Sequence, residues 1–162
     1  KYAQTDALTG LYNRETTKIQ TDELLLNNRQ AMHAFLILDM DCFKQINDVY
    51  GHAVGDIVLQ KFGSLLRNTF RENDIVGRIG GDEFVVVMKN VQTKDIVMKK
   101  AGELLAITKE YEIDELKGKH ISISVGISIS PQDGDCYMDL YKRADQALYQ
   151  AKRSGKARVC NY

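Results

Sequence analysis

Apolar positions along this chain switch between two periods, and the switches mark its elements. The stretch from about Arg14 to Ala31 is polar around a Leu24-Leu25-Leu26 cluster and predicts a helix. Ala34-Phe35-Leu36-Ile37-Leu38 is a continuous apolar run, the pattern of a strand buried on both faces, and it runs out into Asp39. Leu59, Phe62, Leu66 and Phe70 share one face of a helix predicted from about Gly55 to Phe70. Ile75-Val76 and Val85-Val86-Val87 flank Gly80-Gly81. Paired glycines between β-branched runs predict a tight hairpin, because glycine takes positive φ without steric cost. Val97, Ala101, Leu104 and Thr108 place a helix over roughly Lys94 to Tyr111. From Ile121 to Ile129 isoleucine and valine alternate strictly with Ser122, Ser124, Gly126 and Ser128, which predicts a half-buried strand. A last helix carries Tyr137, Leu140, Tyr141, Ala144, Leu148 and Ala151 on its core side. The order is helix, strand, helix, hairpin, helix, strand, helix, which implies an α/β sandwich with helices crossing over a mixed sheet.

Composition narrows the function more than the fold. The chain has 162 residues, enough for one domain with a sizeable core. Twenty-two basic and 22 acidic residues cancel, which argues against nonspecific nucleic-acid binding. Cys42, Cys136 and Cys160 are too far apart for a CxxC metal or redox motif, and a reducing cytoplasm suits them. No apolar run is long enough to span a membrane and no signal peptide is seen, so no direct membrane contact is expected. The first residue is Lys1 rather than Met, which suggests one module of a longer protein, with membrane anchorage of that protein left open.

Four clusters carry candidate chemistry. Asp39 and Asp41, one residue apart where the buried strand ends, would project to the same side in strand geometry; Asp39, nearer the core, is the better metal ligand. Asp82 and Glu83 follow the paired glycines at the hairpin tip, where crowded carboxylates call for a divalent cation. Between Asn47 and Asp56 lies a polar stretch expected to be a loop with an Asx turn, with Asp56 as helix N-cap. Its amide and carboxylate could read a guanine edge, and His52 within it is expected to be a loop hydrogen-bonder. Lys152, Arg153, Lys156 and Arg158 close the last helix, with Gly155 as its C-cap, and suit phosphate binding. They are not a P-loop, since Gln150 stands where that motif needs glycine. Arg71 and Asp74, just before the hairpin, form a surface ion pair at a helix end on this evidence alone.

Taken together these stretches resemble the GGDEF-domain diguanylate cyclases. Asp6-Ala7-Leu8-Thr9-Gly10-Leu11-Tyr12-Asn13-Arg14 resembles the family's D-x-LTGL-x-NR opening. Leu38 to Leu59 resembles its D-x-D-x-FK-x-IND-x-x-GH-x-x-GD block, and Arg78 to Phe84 its R-x-GGDEF signature. Ser124-Val125-Gly126 and Asp145 to Lys152 are similar to its closing strand and helix.

The resemblance implies a palm-type fold, a mostly antiparallel sheet of about five strands flanked by helices, with the signature on a β-hairpin. It implies condensation of two GTP into cyclic di-GMP with loss of two pyrophosphates, each 3′-hydroxyl attacking the α-phosphate of the other nucleotide. Two Mg²⁺ per GTP are implied, with Mn²⁺ a possible substitute, held by Asp39, Asp82 and the backbone carbonyl of Met40. Asp82 is the candidate proton acceptor; Glu83 ranks second because a regular hairpin would turn it to the other face. Asn47 and Asp56 match the guanine-reading positions, a buried Asp56 being left unpaired by adenine. Lys152 and Lys156 match phosphate contacts. Arginine is usual at the second, so the grip there should be weaker. Lys44 and the backbone at Cys42 and Phe43 are expected to face phosphates, and Gly81 lets the hairpin approach the nucleotide. One chain binds one GTP in this family, so a two-fold homodimer is implied. Arg71 and Asp74 fall at the spacing of the family's inhibitory site for its product. Two other readings fit the same residues less fully. One is a non-catalytic GTP or cyclic di-GMP receptor that regulates a partner; the other is a palm-type cyclase making mono- or mixed cyclic nucleotides.

Overall fold

The computed structural model describes residues 3–162. Its centre is one five-stranded sheet: β1 (His33–Met40), β2 (Ile75–Gly80), β3 (Glu83–Met88), β4 (Ile123–Ser130) and β5 (Val159–Asn161). Their spatial order is β2-β3-β1-β4-β5, antiparallel throughout except for the parallel β4–β5 pair. The helices are α1 (Arg14–Asn27), α2 (Phe43–Tyr50), α3 (His52–Thr69), α4 (Lys94–Glu110) and α5 (Tyr137–Arg153), with a short 3-10 turn at Asp114–Leu116.

Strand alternation sorts the core into two layers. Leu36, Leu38, Phe84, Val86, Val125 and Ile127 pack with Val58, Phe62 and Leu66 of α3 and Val97, Ala101 and Leu104 of α4. Phe35, Ile37, Val85 and Val87 face Leu25 of α1 and Tyr137, Leu140, Ala144 and Leu148 of α5. β1, central and covered on both faces, therefore reads as an unbroken apolar run.

Three expectations need correction. α1 stops at Asn27, four residues early, where the Asn28 backbone N–H and side chain both bond to the Leu24 carbonyl. The stretch expected to be a loop before Gly55 is instead α2, a turn at Gly51 (φ 91°), and the first turn of α3. Phe43, Ile46 and Tyr50 lie one helical turn apart and pack onto the core, a periodicity masked by polar neighbours. Asp56 accordingly sits inside α3 rather than capping it. β4 is buried on both faces, not one. Its small residues let the α5 backbone approach closely: the Ser128 hydroxyl donates to the Leu140 carbonyl at 2.8 Å, so the polar atom is satisfied. β5 carries too few residues to give a periodic signal.

Gly126 is the tightest point of that contact. A Cβ there would lie 2.1 Å from the Ala144 carbonyl oxygen and 2.4 Å from the Leu148 nitrogen, both backbone atoms that cannot turn aside. Gly126→Ala is expected to destabilise the domain by about 1–3 kcal/mol or more; urea unfolding within 0.5 kcal/mol of the parent protein would contradict this close packing.

Candidate active site

The sheet end that carries the candidate residues is built by register. β1 and β3 are paired so that Asp39 lies opposite Glu83, and the Met40 N–H donates to the Asp82 carbonyl at 3.3 Å. Paired residues share a face, so Glu83 stands on the same side as Asp39, contrary to the expectation from a regular hairpin. The hairpin is irregular: register shifts between Arg78 and Gly80, and Asp82 belongs to the turn, outside the strand alternation. Gly81 takes φ 48°, and a Cβ on Gly80 or Gly81 would meet nothing within 4 Å, so the turn faces open space.

The opening motif holds this hairpin in place. Asp6 accepts from the Thr9 N–H and hydroxyl and pairs with Arg78 at 3.0 Å, while Arg78 Nε donates to the Gly81 carbonyl at 2.9 Å. Those bonds outweigh the cost of burial and hold the Asp6 carboxyl below the usual carboxylate range. Asn13 caps α1 by accepting from the Thr16 N–H.

Electrostatic crowding dominates the site. Burial first, then the charge and hydrogen bond of Asp39, push the Asp82 carboxyl up to about 6. Glu83 is also raised, by burial and the Asp39 and Asp145 charges, against the lowering effect of a hydrogen bond from the Tyr141 hydroxyl. Lys152, in the last turn of α5, donates to Asp39 Oδ2. Burial pulls that ammonium down, but Asp39, Asp82 and Asp41 outweigh it and the net shift is upward. Asp39 Oδ1 remains buried without a hydrogen-bond partner. An orphaned carboxylate oxygen beside crowded acids fits a hard divalent cation taking oxygen ligands. Met40 has its side chain in the core, leaving only its backbone available to such an ion.

The nucleotide-reading candidates lie along α2 and α3. Asn47 is half-buried and packs against Gly55 so closely that a Cβ there would stand 1.9 Å from its Oδ1. Asp56 is exposed rather than buried, as is His52 at the start of α3. Cys42, at φ 57°, begins α2; Phe43 is half-buried and Lys44 exposed. Lys156 reaches the same end, its Nζ 3.6 Å from the Cys42 sulfur.

Two placements differ from those expected. Asp41 does not share Asp39's outlook, because β1 ends at Met40; it is buried and accepts from Ser122, Ser124 and the Ala157 N–H. Asp74 is no surface residue: its side chain is 1% exposed, against 55% for Arg71. It accepts from Arg71 and from the Lys89 N–H at the opposite end of β3, beside a cavity of about 340 Å³ lined by Phe70, Met88, Ile96 and Lys100. Sequence reasoning missed Tyr141 as a polar partner because its spacing marked it only as core. The Asp6–Arg78 pair, 72 residues apart, left no local signal.

Carboxylates gathered at one end of the sheet, with a cationic helix end beside them, are an arrangement that suits a divalent cation and a phosphate group. Residues 3–158 match the family model described as "Diguanylate cyclase, GGDEF domain", and the chain belongs to that family. It is 37% identical to the response regulator PleD of Caulobacter vibrioides across 97% of this chain, which spans 36% of PleD. Among solved structures it is similar to the GGDEF domain of YfiN from Pseudomonas aeruginosa, with TM-score 0.91, 31% identity, and 97% and 93% of the two chains covered. The GGDEF domain of DgcB from Caulobacter crescentus, solved in complex with c-di-GMP, gives TM-score 0.89 and 26% identity over 99% and 94% of the two chains. No helix among the described residues is long and apolar enough to cross a membrane.

A carboxyl raised from 3.8 to about 6 ties stability to pH. Between these values the folded chain holds a proton that the unfolded chain has released, so stability falls as pH rises through that window. In chelator, the parent protein should lose more stability than Asp82→Asn from pH 4 to pH 6, measured by thermal unfolding. Parallel pH curves would remove the crowding argument.

Proposed function

We propose that this domain is an active diguanylate cyclase. The observation that carries the reading is the convergence of Asp39, Asp82 and Glu83 with one carboxylate oxygen of Asp39 buried and unpartnered. Asp39, Asp82 and the Met40 carbonyl would hold Mg²⁺, which when bound neutralises phosphate charge and polarises the attacking hydroxyl. Two ions per GTP, with Mn²⁺ able to replace them, suit an all-oxygen ligand set.

The chain's own residues then divide the remaining work. Asn47 and Asp56 hold the guanine edge, and the exposure of Asp56 leaves it free to meet the base. Lys152, Lys156 and Lys44 neutralise the triphosphate, with the Cys42–Phe43 backbone at the start of α2 beside them. Asp82, on the hairpin turn beside Asp39, would accept the 3′-hydroxyl proton. The freed 3′-oxygen forms a bond to the α-phosphorus of the second GTP as the bond to pyrophosphate breaks. The reaction occurs twice, so two chains face one another as a two-fold dimer with the nucleotides between. Arg71, beside the cavity at the far end of β3, would bind the product and restrain synthesis.

Incubation of concentrated protein with GTP and Mg²⁺ should yield cyclic di-GMP by chromatography, and Asp82→Ala should lower the rate by roughly 10²–10⁴-fold. GTP binding without turnover at dimer-forming concentration would replace this reading with that of a receptor domain. Arg71→Ala should relieve inhibition by added cyclic di-GMP; unchanged inhibition would reject the second site.

A further inference from the structure

Asp41 lies two residues beyond the metal-binding candidate Asp39, yet its carboxylate faces elsewhere. It is 8% exposed. Oδ1 accepts from the Ser124 hydroxyl at 2.7 Å; Oδ2 accepts from the Ser122 hydroxyl at 2.7 Å and from the Ala157 N–H at 3.1 Å. All three partners are donors, so the carboxylate has little capacity left for a cation.

The third partner matters most. After α5 the chain turns through three successive residues of positive φ: Gly155 at 119°, Lys156 at 64° and Ala157 at 48°. Only glycine takes such angles freely; lysine and alanine hold them where surrounding structure compels them. α5 fixes the turn on one side, through the Lys156 N–H to the Ala151 carbonyl at 3.0 Å. β5 fixes it on the other, where the Val125 N–H donates to the Arg158 carbonyl at 3.0 Å. Asp41 holds its middle, and through it aims Lys156 at the start of α2, 3.6 Å from the Cys42 sulfur. The Asp41 charge also reaches Lys152, the other cation of this end.

We propose that Asp41 is a positioning residue for the triphosphate: it locks the left-handed turn after α5 so that Lys156 is presented to the phosphates. The proposal rests on the reading of Lys156 as a phosphate contact. Asp41 joins the end of β1, the start of β4 and this turn in one buried bond network, so the strand bearing the metal ligand and the turn bearing the cation keep a fixed spacing.

The test uses the whole domain with Mg²⁺ and the α,β-methylene analogue of GTP, which cannot release pyrophosphate. Asp41→Asn, which keeps the volume but loses one acceptor oxygen, should weaken binding of the analogue by about three- to tenfold. Binding of GMP, measured by competition, should change less than about twofold. Lys156→Met should weaken the analogue similarly, and the double variant should be no weaker than Lys156→Met alone, because both changes act through one ammonium. Amide exchange at Ala157 should quicken in Asp41→Asn; Ser122→Ala, which removes one bond aiming the carboxylate, should give the same pattern in milder form and serves if Asp41→Asn does not fold. Full additivity, equal loss for GMP, or unchanged exchange at Ala157 would overturn the proposal. If the parent protein bound neither nucleotide, the phosphate reading would fall, and the exchange data would still decide whether Asp41 holds the turn.

Discussion

Three carboxylates brought to one end of a sheet set the terms for everything around them. Asp39 and Glu83 face each other across β1 and β3, and the Asp82 backbone is bonded to Met40. Such crowding is unfavourable without compensation. The protein supplies some: Lys152 on Asp39, the Tyr141 hydroxyl on Glu83, and a proton on Asp82 below about pH 6. What remains, an unpartnered Asp39 oxygen, is a demand for a cation. The crowding that costs stability at this end is the same property that would attract a metal ion, and only through such an ion a nucleotide's phosphates.

The rest of the fold keeps that end from relaxing. Asp6 and Arg78 tie the N-terminal segment to the hairpin turn, and β1 lies buried in the middle of the sheet. α5 is drawn onto β4 at Gly126 and Ser128, which fixes where its last turn delivers Lys152. Asp41 extends the arrangement to the turn beyond α5. Acids and cations therefore arrive on separate elements whose relative positions are set by close backbone packing and buried hydrogen bonds.

Much of this was legible in the order of residues. Apolar periodicity located β1, α3, α4, α5 and the hairpin, because each buries a regular stripe. Motifs identified Asp39, Asp82, Asn47, Asp56 and Lys152 as chemical candidates. Reading failed where polar residues concealed a helix, as in α2, and where small ones concealed a second buried face, as along β4. It failed also at Glu83, whose side was inferred from strand alternation across a turn that breaks it.

Local periodicity and spacing are enough to reveal the longer elements, the family the chain resembles and the side chains that could bear charge. What those charges do depends on contacts between segments far apart in the chain. Asp39 and Asp41 stand two positions apart in sequence, yet one keeps an unpartnered oxygen near Asp82 while the other is consumed by three donors, one from β4, one just before it and one from the turn after α5. A carboxylate's role depends on the donors and charges folding brings to it, and for Asp41 the donors come from 81 or more positions away along the chain.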